Sequence, residues 1–282
     1  MSASRIDSHQ HFWRLARGDY GWLTPELGPI HRDFGPEDLA PLLAHHGITR
    51  TILVQAAPTV AETTFLLDIA QRTPFVAGVV GWCDFEAPDA AATIRRLASD
   101  RFLVGLRPMV HDIPDPGWLA RPSLAPAFEA LIASRLVFDA LLKPQHMAPL
   151  ETVLLRHPDL TVVIDHAAKP DLVRGEFAAW ESGIAALAAY PNTVCKLSGL
   201  VTEADADWTP DTLRPVVNHL LATFGPQRLL WGSDWPVVTL RSDYARWFET
   251  AASLLSDLSE VEREAVFGGN AQRIYLTHRG RV

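Results

Sequence analysis

The chain alternates between two hydrophobic patterns. Short runs rich in Val, Ile and Leu recur at 5–10, 50–56, 75–82, 102–110, 135–142, 160–166, 193–199 and 228–234. Several are apolar almost throughout, as a parallel strand buried on both faces requires. Between them lie longer segments whose apolar residues return every three or four positions. In 36–47, Leu39, Leu42 and Leu43 share a face, and Gly47 suits a C-terminal cap. Segments 59–73, 87–100, 178–190 and 209–225 read the same way, and in the last Pro210 and Asp211 fit a helix first turn.

Eight strands alternating with helices predict an α/β fold, a single closed (β/α)8 barrel over 1–282. An open doubly wound sheet is the competing architecture. It usually carries a glycine-rich phosphate loop after its first strand. Here the first strand runs into His9-Gln10-His11-Phe12-Trp13 instead.

Composition narrows the function classes. The chain has 282 residues, 48% hydrophobic and 21% charged, which is globular composition and enough for one barrel. Its net charge is −8 with no basic stripe, so no nucleic-acid partner is expected. No apolar run reaches the roughly 20 residues that span a bilayer, so no membrane partner is expected either. The N-terminal MSASRID shows no secretory pattern. Cys83 and Cys195 sit in or beside apolar runs, which suits core packing in a reducing compartment. The expectation is a cytoplasmic protein. Nothing in the sequence sets an oligomeric state.

Barrel enzymes build their sites from the C-terminal ends of the strands. Those ends carry His9 and His11, then Gln55, Trp82 and Asp84, Arg107 and His111, Lys143, Asp165 with His166 and Lys169, Lys196 with Ser198, and finally Ser233 with Asp234. Residues i and i+2 of a strand face the same way, so His9 and His11 converge on one spot. That suits a metal ligand pair, or two donors aimed at one substrate oxygen. Any one polar tip is as readily a turn residue, and the alternatives for His166, a core histidine, and for Asp234, a turn cap, are the lesser readings. Their collection at one rim is what singles them out. Asp165 is expected to point to the other side of the pleat as a structural residue. His45, His46, His157, His219 and His278 are expected at the surface or in packing.

The stretches IDSHQHFW, RDFGPEDLAP, VGLRPMVHD, VIDHAAKP, VCKLSGL and LLWGSDWPV, with GGNAQRIY near the C-terminus, resemble the amidohydrolase superfamily. The similarity covers nearly the whole chain. It is closest to the branch of lactonases that open sugar, pyrone-dicarboxylate and muconolactone-type rings. The resemblance implies a distorted barrel, hydrolysis of an ester-like bond, and often one or two divalent metals. Its metal pattern is incomplete here. Arg107 stands where a bridging Lys is usual after the fourth strand. Lys143 precedes His146 where a His is usual after the fifth. The remaining set, His9, His11, His166 and Asp234, can still hold one ion such as Zn. The cations nearby favour chemistry that requires no metal.

The expected substrate is a small lactone, opened by water. Asp234 is the candidate general base. His9, His11 and His166, with Arg107, are the candidate donors to the carbonyl oxygen. Trp13, Trp22, Trp118 and Trp235 offer aromatic faces to sugar C–H surfaces, although any single Trp is more often a packing anchor. Gln55, His111, Asp112 and Lys143, and further out Asp33 and Asp84, offer polar contacts. A dicarboxylate lactone would call for several cations at the mouth, so a sugar lactone of fuconolactone or rhamnonolactone type leads. The alternatives are a dicarboxylate or muconolactone-type lactone, a metal-dependent decarboxylation, or a sugar-binding protein without chemistry.

Overall fold

The structure, a computed structural model, describes residues 4–277. Met1–Ala3 and His278 lie outside the described residues. Eight parallel strands follow one another in sheet order: β1 Arg5–Gln10, β2 Ile48–Val54, β3 Val76–Gly81, β4 Leu103–Leu106, β5 Val137–Ala140, β6 Val162–Ile164, β7 Thr193–Leu197 and β8 Leu229–Trp231. The helices between them are α1 Pro36–His46, α2 Val60–Arg72, α3 Ala90–Leu97, α4 Ala125–Ala133, α5 Met147–Arg156, α6 Ala178–Ala188 and α7 Pro210–Phe224, with α8 Tyr244–Leu254 after the last strand. This is the (β/α)8 barrel that the alternation predicts.

Local chemistry sets the helix ends. Gly47 follows α1 at φ 65°, the left-handed cap that its position suggests. The Thr59 hydroxyl accepts from the Glu62 amide at the start of α2, and Asp243 does the same for Arg246 at α8. No helix among the described residues is long and apolar enough to cross a membrane. Cys83 and Cys195 are buried free thiols. His46 stacks on Tyr244, His157 packs on Phe128 and His219 on Trp180, so all three serve packing.

The barrel interior is layered. At the bottom, every strand contributes an aliphatic side chain: Ile6, Ile52, Val80, Val104, Val137, Val163, Val194 and Leu230. The C-terminal segment closes this floor with Ile274, Tyr275 and Leu276. Asn270 anchors that segment by donating to the carbonyls of Pro226 and Leu229, both at 2.8 Å. Gly268 leaves room for the chain to pass, because a Cβ there would meet the Ser4 carbonyl at 2.1 Å. Two backbone bonds close the ring between β1 and the turn after β8. The Asp234 amide donates to the His9 carbonyl, and the His11 amide to the Trp235 carbonyl, each at 2.8 Å.

Four strands stop earlier than their hydrophobic runs do. The runs at 102–110, 135–142, 160–166 and 228–234 contain strands of only three or four residues. The remaining apolar residues pass into 3₁₀ turns and loops that line the top of the barrel. In the sixth run the strand ends at Ile164, and His166–Lys169 adopt four successive left-handed conformations, φ 51–56°. Such conformations cost non-glycine residues roughly 1–2 kcal/mol each.

The turn between β2 and α2 holds a buried acid. Glu62 accepts from the amides of Ala56 and Ala57, at 3.0 and 2.7 Å. Burial raises its pKa to about 7, with these amides opposing. A carboxyl raised by folding adds stability that is complete below its ordinary pKa and is lost as pH rises through the folded value. Thermal melts between pH 4.5 and 8 are therefore expected to show wild type weakening toward pH 7 from this source. Glu62→Gln should lack that component. Parallel melting curves for the two proteins would refute it.

Candidate active site

Above the aliphatic floor lies a layer of buried charge. Lys196 of β7 is fully buried, with Nζ 2.5 Å from Asp139 Oδ2 and 3.0 Å from Asp165 Oδ1. The Tyr275 hydroxyl donates to Asp139 from below at 2.8 Å. Arg107 reaches in from the end of β4, with one nitrogen 3.3 Å from Asp165 Oδ2 and another donating to the Gln55 carbonyl. Gln55 returns a bond to the Arg107 carbonyl at 2.7 Å. Asp165 is thus not on the far face of a strand, as the pleat predicts. The chain has already left the strand there, and the carboxylate faces the barrel axis. Burial would raise its pKa, but Lys196, His9 and Arg107 hold it well below the carboxylate range.

The imidazoles stand on this layer. His9 and His11 share a face of β1 and its extension, with ring centroids 4.9 Å apart. The His166 ring lies 4.5 Å from that of His9. Asp234, at φ 57° after β8, points one oxygen at all three. Its Oδ1 is 3.3 Å from His11 Nε2, 3.7 Å from His9 Nε2 and 3.9 Å from His166 Nε2. Burial alone would raise the pKa of Asp234, yet His166, His11 and His9 together push it far down. Burial lowers His166 to about 4 against the pull of Asp234 and Asp165. Burial and Lys196 hold His9 well below its ordinary value.

The outer ring nitrogens are fixed from behind. His11 Nδ1 lies 2.8 Å from the Val54 carbonyl, and His166 Nδ1 lies 2.9 Å from Ser198 Oγ. Gly199, at φ 63°, permits the second arrangement, since a Cβ there would sit 2.4 Å from His166 Nδ1. A carbonyl can only accept, so His11 carries its proton on Nδ1. His11 Nε2 then faces the Asp234 carboxylate at 3.3 Å, where a proton or a metal cation can join the two. Asp165 Oδ1 is paired with Lys196 Nζ at 3.0 Å and lies 3.5 Å from His9 Nδ1. A tetrahedral zinc ion sets its ligand atoms about 3.4 Å apart. The 3.3–3.9 Å separations around Asp234 Oδ1 fit that spacing.

A cavity of about 230 Å³ opens over this cluster. Of the residues singled out by the sequence, His11, His166, Asp234, Arg107, Trp22, His111 and Asp112 line it. His9 lies just beneath, fully buried. Trp13 does not reach the cavity. It is buried with its edge against Trp22, centroids 5.6 Å apart, and its indole donates to the Arg32 carbonyl. Trp235 is packed between Phe12 and Phe34, and Trp118 is buried away from the cavity. Gln55 serves Arg107 rather than the cavity. Lys143 lies outside the lining and donates to the His111 carbonyl at 3.0 Å. His146 turns back to accept from the Lys143 amide. Asp33 and Asp84 brace loop amides of Leu15 and Glu86. These four side chains are spent on holding loops, a demand that a one-dimensional pattern does not display.

The lining also includes Ala56, Met109, Leu141, Lys169, Thr202 and Val237, which strand-end reasoning either passed over or left without a role. Lys169 follows His166 by three residues, and the left-handed turn brings both to the same cavity. Its Nζ contacts Glu203 from the turn after β7. His111 lies 3.1 Å from Asp112 through Nε2. Burial, with Lys169 and Arg107, lowers His111 to about 3, so it is neutral at neutral pH.

Comparison with known proteins agrees with this architecture. An L-fucono-1,5-lactonase of Burkholderia ambifaria is 47% identical over 281 residues, covering 98% of this chain and 96% of the relative. A protein of the same name from Burkholderia multivorans is 37% identical, covering 98% and 97%. A crystal structure of a Burkholderia multivorans amidohydrolase with bound zinc superposes with TM-score 0.90 at 38% identity, covering 97% of this chain and 99% of that one. Residues 6–276 match the family described as Amidohydrolase, and with relatives this similar over nearly its whole length the chain belongs to that family.

Proposed function

We propose that this cavity hydrolyses a sugar lactone of the L-fucono-1,5-lactone type, with Asp234 accepting the proton of the attacking water. One observation carries the assignment of roles: Asp234 Oδ1 faces the Nε2 atoms of His9, His11 and His166 at the floor of the cavity. The lactonase relatives support the reaction class. The reaction is that of a carboxylic ester hydrolase on a small molecule.

A lactone is an ester whose carbonyl needs only modest activation. Asp234 stays ionised through the neutral range, so its carboxylate is always available to a water in the cavity. Its low pKa makes it a weak base. It therefore takes the proton late, as the water oxygen bonds to the carbonyl carbon. The negative charge that develops on the carbonyl oxygen needs donors already aimed at it. Arg107 and the imidazoles supply positive and partial positive charge from the buried layer. When the ring C–O bond breaks, the leaving alkoxide takes a proton, and protonated Asp234 is placed to return it. Trp22, Met109, Leu141 and Val237 give the cavity apolar walls for the carbon face of a sugar ring.

His9, His11 and Asp234 bring their ligand atoms close enough to fit a divalent ion and would hold it, with His166 beside them. Such an ion, when bound, polarises the carbonyl and acidifies water. This agrees with the expectation that these residues can hold one ion, and it leaves open whether the chemistry requires it. Arg107 is paired with Asp165, so its charge is already answered.

Two measurements test this reading. Asp234→Asn should lower kcat on L-fucono-1,5-lactone by about 10²–10⁴-fold with an unchanged circular dichroism spectrum. Near-normal turnover would remove Asp234 from the role. Elemental analysis after equilibration with zinc should find one ion per chain in wild type and a loss of about 10-fold or more in affinity in His11→Ala. Equal zinc content in both proteins would show that the cluster is not the metal's seat. Turnover with and without chelator then reports whether the ion is needed.

A further inference from the structure

The cations at this cavity are all answered by other groups. Arg107 is paired with Asp165 in the buried layer. Lys143 is spent on the His111 carbonyl outside the lining. Lys169 is in the lining itself, held there by a left-handed backbone at φ 53°. Its Nζ contacts Glu203, and among the described residues it has no other hydrogen-bond partner. The two side chains are 18% and 25% exposed, so the pair borders solvent in the cavity rather than lying in the core. Glu203 belongs to a different turn, Leu200–Glu203 after β7, and does not itself line the cavity. It stands behind Lys169 as a counter-charge.

The charge of the reactants gives this arrangement a use. A sugar lactone is neutral. Hydrolysis adds water across the ring ester C–O bond and yields a hydroxy acid, which loses its proton at neutral pH. The product is therefore an anion formed in the same cavity. An unanswered lysine would attract that anion, and any carboxylate-bearing lactone, more than it attracts the neutral substrate. We propose that Glu203 is a specificity-determining residue: by neutralising Lys169 it keeps the cavity selective for neutral lactones over anionic ones and lets the anionic product leave. This rests on the lactonase reading above. Lys169 keeps its remaining N–H groups for substrate hydroxyls, while Glu203 cancels the long-range part of its field.

The test compares affinity for an anion with affinity for a neutral ligand. Inhibition by the L-fuconate product and KM for L-fucono-1,5-lactone are measured in wild type, Glu203→Gln, Lys169→Met and the double variant. In Glu203→Gln the ratio of KM to product inhibition constant should rise about three- to tenfold, because the product binds more tightly. The gain should shrink as ionic strength rises. The double variant, which restores neutrality, should return the ratio to near the wild-type value. A merely structural role for Glu203 would weaken both ligands together and leave the ratio in place. An unchanged or lowered ratio in Glu203→Gln overturns the proposal while leaving the lactonase reading intact. A wild type that turns over no aldonolactone overturns the lactonase reading, and the proposal falls with it.

Discussion

The site depends on a lysine that never meets water. Lys196 lies in the middle of the barrel, and moving an ammonium there costs several kcal/mol unless its donors are answered. Asp139 and Asp165 answer two of them, and His9 Nδ1 lies 3.2 Å from the same nitrogen. The arrangement is mutual. Asp139 is buried because Lys196 and the Tyr275 hydroxyl hold it, and Asp165 because Lys196 and Arg107 do. Removing one member leaves the others as unpaired charges in a low dielectric. The layer is therefore rigid, and the imidazoles that stand on it inherit that rigidity. The C-terminal segment takes part in this, since Tyr275 both closes the aliphatic floor and bonds the bottom of the charged layer.

The same economy appears at the seam of the barrel. The residues that close β8 onto β1 are the residues that face the cavity. Asp234 gives its amide to the His9 carbonyl, and His11 gives its amide to the Trp235 carbonyl. Behind them Asp7 takes the Ser233 amide and the Tyr244 hydroxyl. The relative placement of Asp234 and the two histidines is thus set by main-chain bonds rather than by loop packing. His166 is placed differently, by a strained left-handed turn braced by Trp180, whose indole donates to the Ala167 carbonyl. A strained turn maintained at the edge of a site is where the fold gives up stability for position.

The eight strands were legible in the sequence because parallel strands buried on both faces leave long apolar runs. The four polar residues of the cluster were legible as strand-end residues and through the family resemblance, but periodicity aligned only His9 with His11, since His166 and Asp234 sit in left-handed turns beyond their strands. What the pattern did not show was which rim residues face inward. Trp13 and Trp235 look like sugar platforms in sequence, yet their rings pack in aromatic clusters that support Trp22. Gln55 looks like a substrate contact, yet both its side-chain amide and its carbonyl are taken by Arg107. Strand ends were overrun for the same reason. Residues such as Met109 and Leu141 are apolar because they line a cavity, and hydrophobicity does not tell a cavity wall from a buried strand.

The cations mislead most in one dimension, because a sequence lists charges without their partners. Arg107 near the histidines argues against a metal ion there when it is counted alone. Counted with its layer it does not. Lys196 and Arg107 stand against Asp139, Asp165 and Asp234, two positive charges against three negative ones. With neutral histidines the layer carries one net negative charge, and Asp234, nearest the cavity, is where it is expressed. The buried layer thus favours positive charge at the cavity floor, whether that is a bound cation or donors turned toward a reacting carbonyl. One layer further out, the pairing of Lys169 with Glu203 keeps the cavity wall from presenting an unanswered positive charge.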